Sequence, residues 1–305
     1  MNILAPAKIN LHLRVGRRRE DGFHPLLTWM CAVGLFDIVK LQPARPDEGV
    51  SAPAGGVEFE CDRTDLPRGE DNLVVKAARG FAAEVLVSRP VCIALTKRIP
   101  VGAGLGGGSS DAAATLAGLN RLWGANWSAD RLSEFAARFG SDVPFFLHGP
   151  SAACRGRGEV VRPVPAPRPA WALLAMPPFG LATRDVYARF DDMGLGDDDA
   201  LAEAREPDWH EWARLGARDL SARVGNDLEP AAFSLSPPLA ALREALERRL
   251  GRRVRMSGSG STLFTLYDDA EVADAKAAAG EVADAEGIRA EVVSVARASG
   301  IEWVF

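Results

Sequence analysis

The sequence predicts an α+β protein of one large domain or two lobes, and three observations lead there. Residues 3–15 alternate in places, with Ile9, Leu11, Leu13 and Val15 on one side, as a half-buried strand does. A dense glycine segment beginning at Pro100 runs straight into Ala112, Ala113, Ala114, Thr115 and Leu116, which are helix-forming sequence. Behind a Pro-rich break at 163–169, the second half reads strand–helix–helix–strand–strand–helix–strand.

Element by element, 26–41 is rich in β-formers and makes one or two strands, 43–56 is loop, and 57–61 is a short strand. A helix runs from about 72 to 87, with Asp71 a plausible cap. A strand at 91–99 leads into the glycine segment, whose helix ends near Trp123. Ser128 caps the next helix, to about Phe139, and 151–164 has β character. In the second half, 171–176 is a buried strand, 183–190 a helix and 191–199 an acidic loop. Helices follow at 227–233 and 239–250, a strand pair at 254–266, an amphipathic helix at 271–286 and a last strand at 289–296.

Composition narrows the function classes. The chain is 47% hydrophobic and 25% charged with a net charge of −5, an ordinary globular balance that offers no nucleic-acid surface. Cys31, Cys61, Cys92 and Cys154 are scattered without a C-x-x-C pair, and so are His12, His24, His148 and His210, which argues against a disulfide frame or a zinc site. No apolar run is long enough to span a bilayer and no signal-peptide pattern opens the chain, so the expected location is the cytoplasm.

The segment Pro100, Val101, Gly102, Ala103, Gly104, Leu105, Gly106, Gly107, Gly108, Ser109, Ser110, Asp111 carries the chemistry. Glycines strip a loop of side chains, and a helix start offers unpaired N–H donors and partial positive charge, so the two together cradle phosphate. No Gly-Lys-Ser/Thr follows, which excludes a Walker A loop. Gly102, Gly104 and Gly107 satisfy the dinucleotide G-x-G-x-x-G pattern, but the preceding strand looks half exposed and no strand follows at 120–127. Ser109 and Ser110 can cap the helix, bond a phosphate oxygen or face Mg²⁺.

Other segments admit two readings each. Lys8 and Asn10 share one side of a strand, either as a solvated face or as a functional pair. Asp21-Gly22-Phe23-His24 is a turn displaying an aromatic ring and a histidine that is either exposed or in use. Asp142 precedes Pro144 and an apolar run, where it or Ser141 caps a short helix or, paired with a lysine, Asp142 takes or orients a hydroxyl proton. Met256-Ser257-Gly258-Ser259-Gly260-Ser261-Thr262 joins two strands as a flexible turn or as a second phosphate support. Only Lys8, Lys40, Lys76, Lys97 and Lys276 break an otherwise all-arginine basic set, and Lys8 and Lys97 lie in these segments.

Four separated segments, Pro6 with Lys8 and Asn10, the glycine segment, Ser141-Asp142-Val143-Pro144-Phe145, and Met256-Ser257-Gly258-Ser259-Gly260, together resemble the GHMP small-molecule kinases in order and over nearly the whole chain. The Asp-Gly-Phe-His turn resembles the branch acting on a cytidine-diphosphate-linked methylerythritol in non-mevalonate isoprenoid precursor synthesis. The resemblance implies a two-lobed fold: an N-terminal lobe over 1–165 like ribosomal protein S5 domain 2, and a ferredoxin-like C-terminal lobe over 166–305. It implies ATP with Mg²⁺, phosphorylation of the 2-hydroxyl of that small molecule, no nucleic-acid or membrane partner, and a monomer or weak homodimer. Asp142 matches the catalytic Asp and Lys8 the catalytic Lys. The 100–110 segment matches the ATP-phosphate loop, with Ser110 toward the metal. Asn72, Leu73 and Lys97 match positions near adenine and ribose, and Asn10, Phe23, His24 and Thr183 match acceptor contacts. The chain departs at Phe23, where Tyr is frequent, and at Asp111, where some members carry Asn; Asp111 is expected to face the metal or to favour the helix N-terminus.

Overall fold

The computed structural model describes residues 1–44, 56–86, 89–202 and 205–296, and the backbone of 302–304. In chain order the first elements are β1 (Asn2–Val15), β2 (Leu26–Pro43), β3 (Val57–Cys61), α1 (Leu73–Glu84), β4 (Val91–Thr96) and α2 (Gly107–Leu122). Then come α3 (Ala129–Ala136), α4 (Val143–His148), β5 (Ser151–Arg155), β6 (Val160–Pro163), β7 (Trp171–Met176), α5 (Thr183–Asp192), α6 (Trp209–Ala213) and α7 (Ala217–Arg223). The chain closes with α8 (Glu229–Leu235), α9 (Pro237–Leu250), β8 (Arg255–Met256), β9 (Leu263–Tyr267), α10 (Val272–Glu286), β10 (Arg289–Ser294) and β11 (Glu302–Val304).

Two sheets organise these elements. The first runs β11-β1-β2-β4-β3, with β5 pairing a separate stretch of β2 and carrying β6. The second runs β10-β7-β9-β8 and is antiparallel throughout. β2 is one strand of 18 residues, long enough to serve β4 from one end and β5 from the other. Helices α1 to α4 cover one face of the first sheet, where Phe81, Leu116, Phe135 and Phe145 pack on Ile3, Val39 and Ile93. A middle core joins the two sheets through Ile9, Leu11 and Trp29 against Leu174, Phe264 and Leu266, with Trp209 and Leu220 beside them. A third core seats α5, α8, α9 and α10 on the second sheet through Phe190, Leu228, Leu246 and Val282.

Helix starts differ from the expected caps in instructive ways. The cap of α1 is Asn72, whose side-chain oxygen accepts the Val74 N–H at 2.9 Å, and not Asp71. The cap of α2 is Gly106 in the left-handed region, with no side chain bonding the helix end; Ser109 and Ser110 lie inside the first turn. The first N–H donors of α2 are therefore left without a side-chain cap. Ser128 caps α3 as expected, accepting from the Arg131 N–H at 3.3 Å. The five- and seven-residue helices α6 and α7 and the strand β11 escaped sequence reading, being too short to establish a period.

Candidate functional site

One cleft of about 940 Å³ gathers the residues expected to act. Lys8, Asn10, Phe23, His24, Asn72, Leu73, Lys97, Asp142, Thr183 and the loop from Pro100 to Ser109 all line it. Ser110 does not: it is fully buried in the first turn of α2, and its hydroxyl has no partner among the described residues.

Lys8 reaches the cleft because β1 changes the face it presents. Ile3 and Ala5 point into the helix-covered core, but the register against β2 shifts between Pro6 and Ala7. Beyond the shift, Ala7, Ile9 and Leu11 face the second sheet, so Lys8 and Asn10 emerge on the opposite side, beside Ala32 and Met30. At 4% exposure Lys8 is no part of a solvated face. Its ammonium donates to Asn10 Oδ1 at 2.6 Å and to the Gly104 carbonyl at 3.0 Å, and lies 3.4 Å from Asp142 Oδ2. Three acceptors thus meet three donors. Asn10 is held in turn by donating to Thr28 Oγ1 at 2.8 Å.

Asp142 sits at the start of α4 but makes no capping hydrogen bond, so its carboxylate stays available to Lys8 and to the cleft. The short helix expected here exists, but the Asp142 side chain does not cap it.

The two glycine segments meet each other. Ser257 Oγ donates to the Gly104 carbonyl at 2.9 Å, and the Thr262 N–H donates to the Ala103 carbonyl at 3.1 Å. A Cβ on Gly104 would fall 2.1 Å from the Ser257 carbonyl oxygen, and Gly104 has φ +74°. A Cβ on Gly106 would press on the Lys8 side chain at 3.0 Å. Asn226 fixes the second segment, donating to the carbonyls of Met256 at 2.8 Å and Gly258 at 2.7 Å. The 256–262 segment is therefore no loose turn; it buttresses the first loop.

Elsewhere on the cleft wall, Phe23 is half exposed and carries the Arg157 guanidinium 3.8 Å from its ring centre. Asp21 holds that turn by accepting the Phe23 N–H at 3.0 Å, and Arg157 pairs with Asp21 at 3.1 Å. His24 is buried, not displayed: Nε2 lies 2.7 Å from Asp191 Oδ1, and its ring is 4.9 Å from that of Tyr187. Thr183 and Ser259 share a hydroxyl–hydroxyl bond of 2.9 Å. Burial pushes the Tyr187 phenol up, with the Asp142 charge adding to it. Tyr187, Asp191 and Arg157 also line the cleft and were not singled out from sequence. Tyr187 and Asp191 are four apart on α5, a helix-face signal that needs the opposing His24 to give it meaning.

Asp111, in the first turns of α2, is buried on the cleft wall; one oxygen takes Lys97 Nζ at 2.7 Å, and its second oxygen lacks a partner among the described residues. Lys97 also pairs with the fully buried Asp37. Burial works against charge on Lys97, but Asp111 and Asp37 outweigh it and raise the ammonium pKa. Burial, helped by Asp37 and opposed by Lys97, raises that of Asp111.

Comparison with known proteins adds the following. Residues 72–150 match the GHMP kinases N terminal domain and residues 200–285 the GHMP kinases C terminal domain. The 4-diphosphocytidyl-2-C-methyl-D-erythritol kinase of Shouchella clausii (strain KSM-K16) is 42% identical over 271 residues, covering 88% of this chain and 86% of that protein. The protein of the same name from Nocardioides sp. (strain ATCC BAA-499 / JS614) is 43% identical over 280 residues, covering 90% and 91%. A crystal structure of 4-(cytidine 5'-diphospho)-2C-methyl-D-erythritol kinase superposes with a TM-score of 0.73 at 35% identity, covering 98% of this chain and 100% of the other. Homoserine kinase from Cytophaga hutchinsonii shares the fold, with a TM-score of 0.72 at 20% identity and coverage of 100% and 97%.

Proposed function

The chain belongs to the GHMP kinases, in the family of the 4-diphosphocytidyl-2-C-methyl-D-erythritol kinases, and from that membership we propose how its cleft works. It transfers a phosphoryl group from ATP to an alcohol, the 2-hydroxyl of 4-diphosphocytidyl-2-C-methyl-D-erythritol, in isoprenoid precursor biosynthesis. The observation that carries the assignment of roles is the Lys8–Asp142 pair, 3.4 Å apart, between the glycine loop and the Phe23–His24 turn.

Asp142 accepts or orients the proton of the attacking hydroxyl. Lys8, fixed by Asn10 and Gly104, offsets charge developing on the transferred group. Gly102 to Gly108 and the uncapped start of α2 supply backbone N–H donors to the phosphates. Asn72 and Leu73 form the wall beyond the loop for adenine and ribose. Phe23 offers a ring face to cytosine, which stacking needs and a phenol hydroxyl does not improve. Asn10, His24 and Thr183 complete the acceptor side.

Mg²⁺ suits this donor set as an ion held mainly by phosphate oxygens and water. Among the described residues no group of three His, Cys, Asp or Glu side chains would hold a metal unaided. Ser109, half buried on the cleft wall, fits as the protein contact better than Ser110, which is fully buried and does not line the cleft. When bound, the ion neutralises phosphoryl oxygens and so lowers the cost of charge in the transition state. We take the lobes as residues 1–165 and 166–305, and place the enzyme in the cytoplasm as a monomer or weak homodimer without a nucleic-acid partner. No helix among the described residues is long and apolar enough to cross a membrane.

The test is a kinase assay with the cytidine-linked acceptor beside mevalonate and homoserine, run on wild type and Asp142→Asn. Transfer is expected to the first acceptor alone, and the variant, folded by circular dichroism, should lose at least about 100-fold in kcat. Comparable transfer to mevalonate or homoserine overturns the acceptor; wild-type turnover in the variant removes Asp142 from the chemistry.

A further inference from the structure

We propose that Asp37, Lys97 and Asp111 are positioning residues: a buried ion triad that clamps the two ends of the phosphate loop together, so that Lys97 governs nucleotide affinity through the loop and not by touching the nucleotide. The proposal rests on reading the 100–109 segment as the nucleotide loop.

The geometry is that of a brace. The β2–β4 ladder ends at the pair Ile38 and Thr96, and the next residue of β2, Asp37, continues the pairing with its side chain. Asp37 Oδ1 accepts the N–H groups of Arg98 at 2.5 Å and Ile99 at 2.9 Å, the last two donors before Pro100. Its other oxygen takes the Lys97 ammonium. That ammonium crosses to Asp111 Oδ2 at 2.7 Å, one turn into α2 and 14 residues further along the chain. The departing strand and the arriving helix are thus tied through one cation, and the loop from Pro100 to Gly106 hangs between them. The side chains of Lys97, Asp37 and Asp111 are 4%, 0% and 2% exposed, so water screens this tie very little.

The glycine pattern records the same constraint. A Cβ on Gly107, the first residue of α2, would lie 3.1 Å from Lys97 Nζ and 3.0 Å from Ile99 Cγ2. The triad passes directly beneath the helix start, and a glycine admits that approach. With two of its three donors committed to carboxylates, Lys97 is already neutralised before an anion arrives. An ammonium meant to grip a ligand would be left freer than this.

The experiment measures ADP binding by calorimetry and amide hydrogen exchange of residues 100–108 in wild type, Asp111→Ala, Asp111→Asn, Lys97→Met and the Asp111→Ala/Lys97→Met double variant. If loosening leaves the loop competent about a tenth of the time, Asp111→Ala and Lys97→Met each raise the Kd for ADP about tenfold. The double variant should be no weaker than the worse single one, because both cut the same tie. Asp111→Asn, whose amide oxygen still accepts from Lys97, should stay within about twofold of wild type. Exchange at 100–108 should quicken in ADP-free Asp111→Ala, and the KM for ATP should rise more than kcat falls. Wild-type or tighter ADP binding by Asp111→Ala, with a loss in Lys97→Met alone, overturns the proposal and places the ammonium on the nucleotide. If Lys97→Met does not fold, the Ala and Asn variants at 111 decide by themselves. Absence of ADP binding in wild type would instead fail the nucleotide reading, and unchanged exchange in Asp111→Ala would still overturn the brace.

Discussion

Single residues in this protein work by being fully engaged. Lys8 directs its ammonium at Asn10, Gly104 and Asp142, which leaves it one geometry. His12, two residues beyond Asn10, is the opposite case: it is buried against Trp209 and Trp212 and accepts the Gly225 N–H on Nδ1 at 3.1 Å. Burial first, then the charges of Arg14 and Arg255, lower its pKa from 6.5 to about 3. The unfolded chain therefore binds a proton that the folded one refuses. Stability from this group is complete above pH 6.5 and is lost as pH falls from there toward 3. Between pH 7 and 5.5 the loss should be about 1 kcal/mol in urea unfolding, and His12→Gln should flatten that part of the profile. An unchanged slope in the variant would show that His12 is not its source. From sequence, the residue types at Lys8 and Asp142 left two readings each, and it was the resemblance to the kinase family that pointed to a shared role. Asp37 was not readable, since its part depends on where a strand happens to end.

At the scale of elements, the two glycine segments act as one structure. The first is shaped by Gly104 and Gly106, both in the left-handed region, and the second closes on it through Ser257. Gly104→Ala should separate them, because the new methyl would meet the Ser257 carbonyl at 2.1 Å. Positive φ adds roughly 1 kcal/mol of backbone strain for any L-residue. The variant is expected to melt earlier and to lose kinase turnover at least about tenfold, as Lys8 loses the Gly104 carbonyl that holds it. Wild-type turnover in Gly104→Ala would show that the contact between loops is dispensable. The loop and its helix were legible in sequence, since glycine followed by alanine and leucine has few other uses. Its partner segment left two readings open, because a Gly-Ser run gains a role only from what packs against it.

Across the whole molecule, β1 and β2 are the frame to which everything else attaches. β1 contributes Ile3 and Ala5 to the helix-covered core, Ile9 and Leu11 to the middle core, and Leu13 and Val15 to the third. The far end of the chain returns to the same strand, where β11 pairs Val304 with Asn2, Trp303 with Ile3 and Glu302 with Leu4. Removing residues 302–305 should cost about 2 kcal/mol through lost ladder bonds. Hydrogen exchange should then quicken at Asn2 to Leu4 while Lys8 and Asn10 keep their protection. Unchanged exchange at Asn2 to Leu4 would mean that β11 adds nothing to the sheet.

The sequence by itself determined the α+β class, most strand and helix positions and the glycine loop that opens a helix, because each rests on local periodicity or on residue types with few alternative uses, and its separated motifs together carried the resemblance to the kinase family. Only the tertiary structure decided that Ser110 is sealed, that Asp111 turns inward to Lys97 and Asp37, that His24 meets Asp191 and Tyr187, and that two glycine segments touch. Those are contacts between residues distant in the chain, and no local pattern encodes which partner a buried polar group will find.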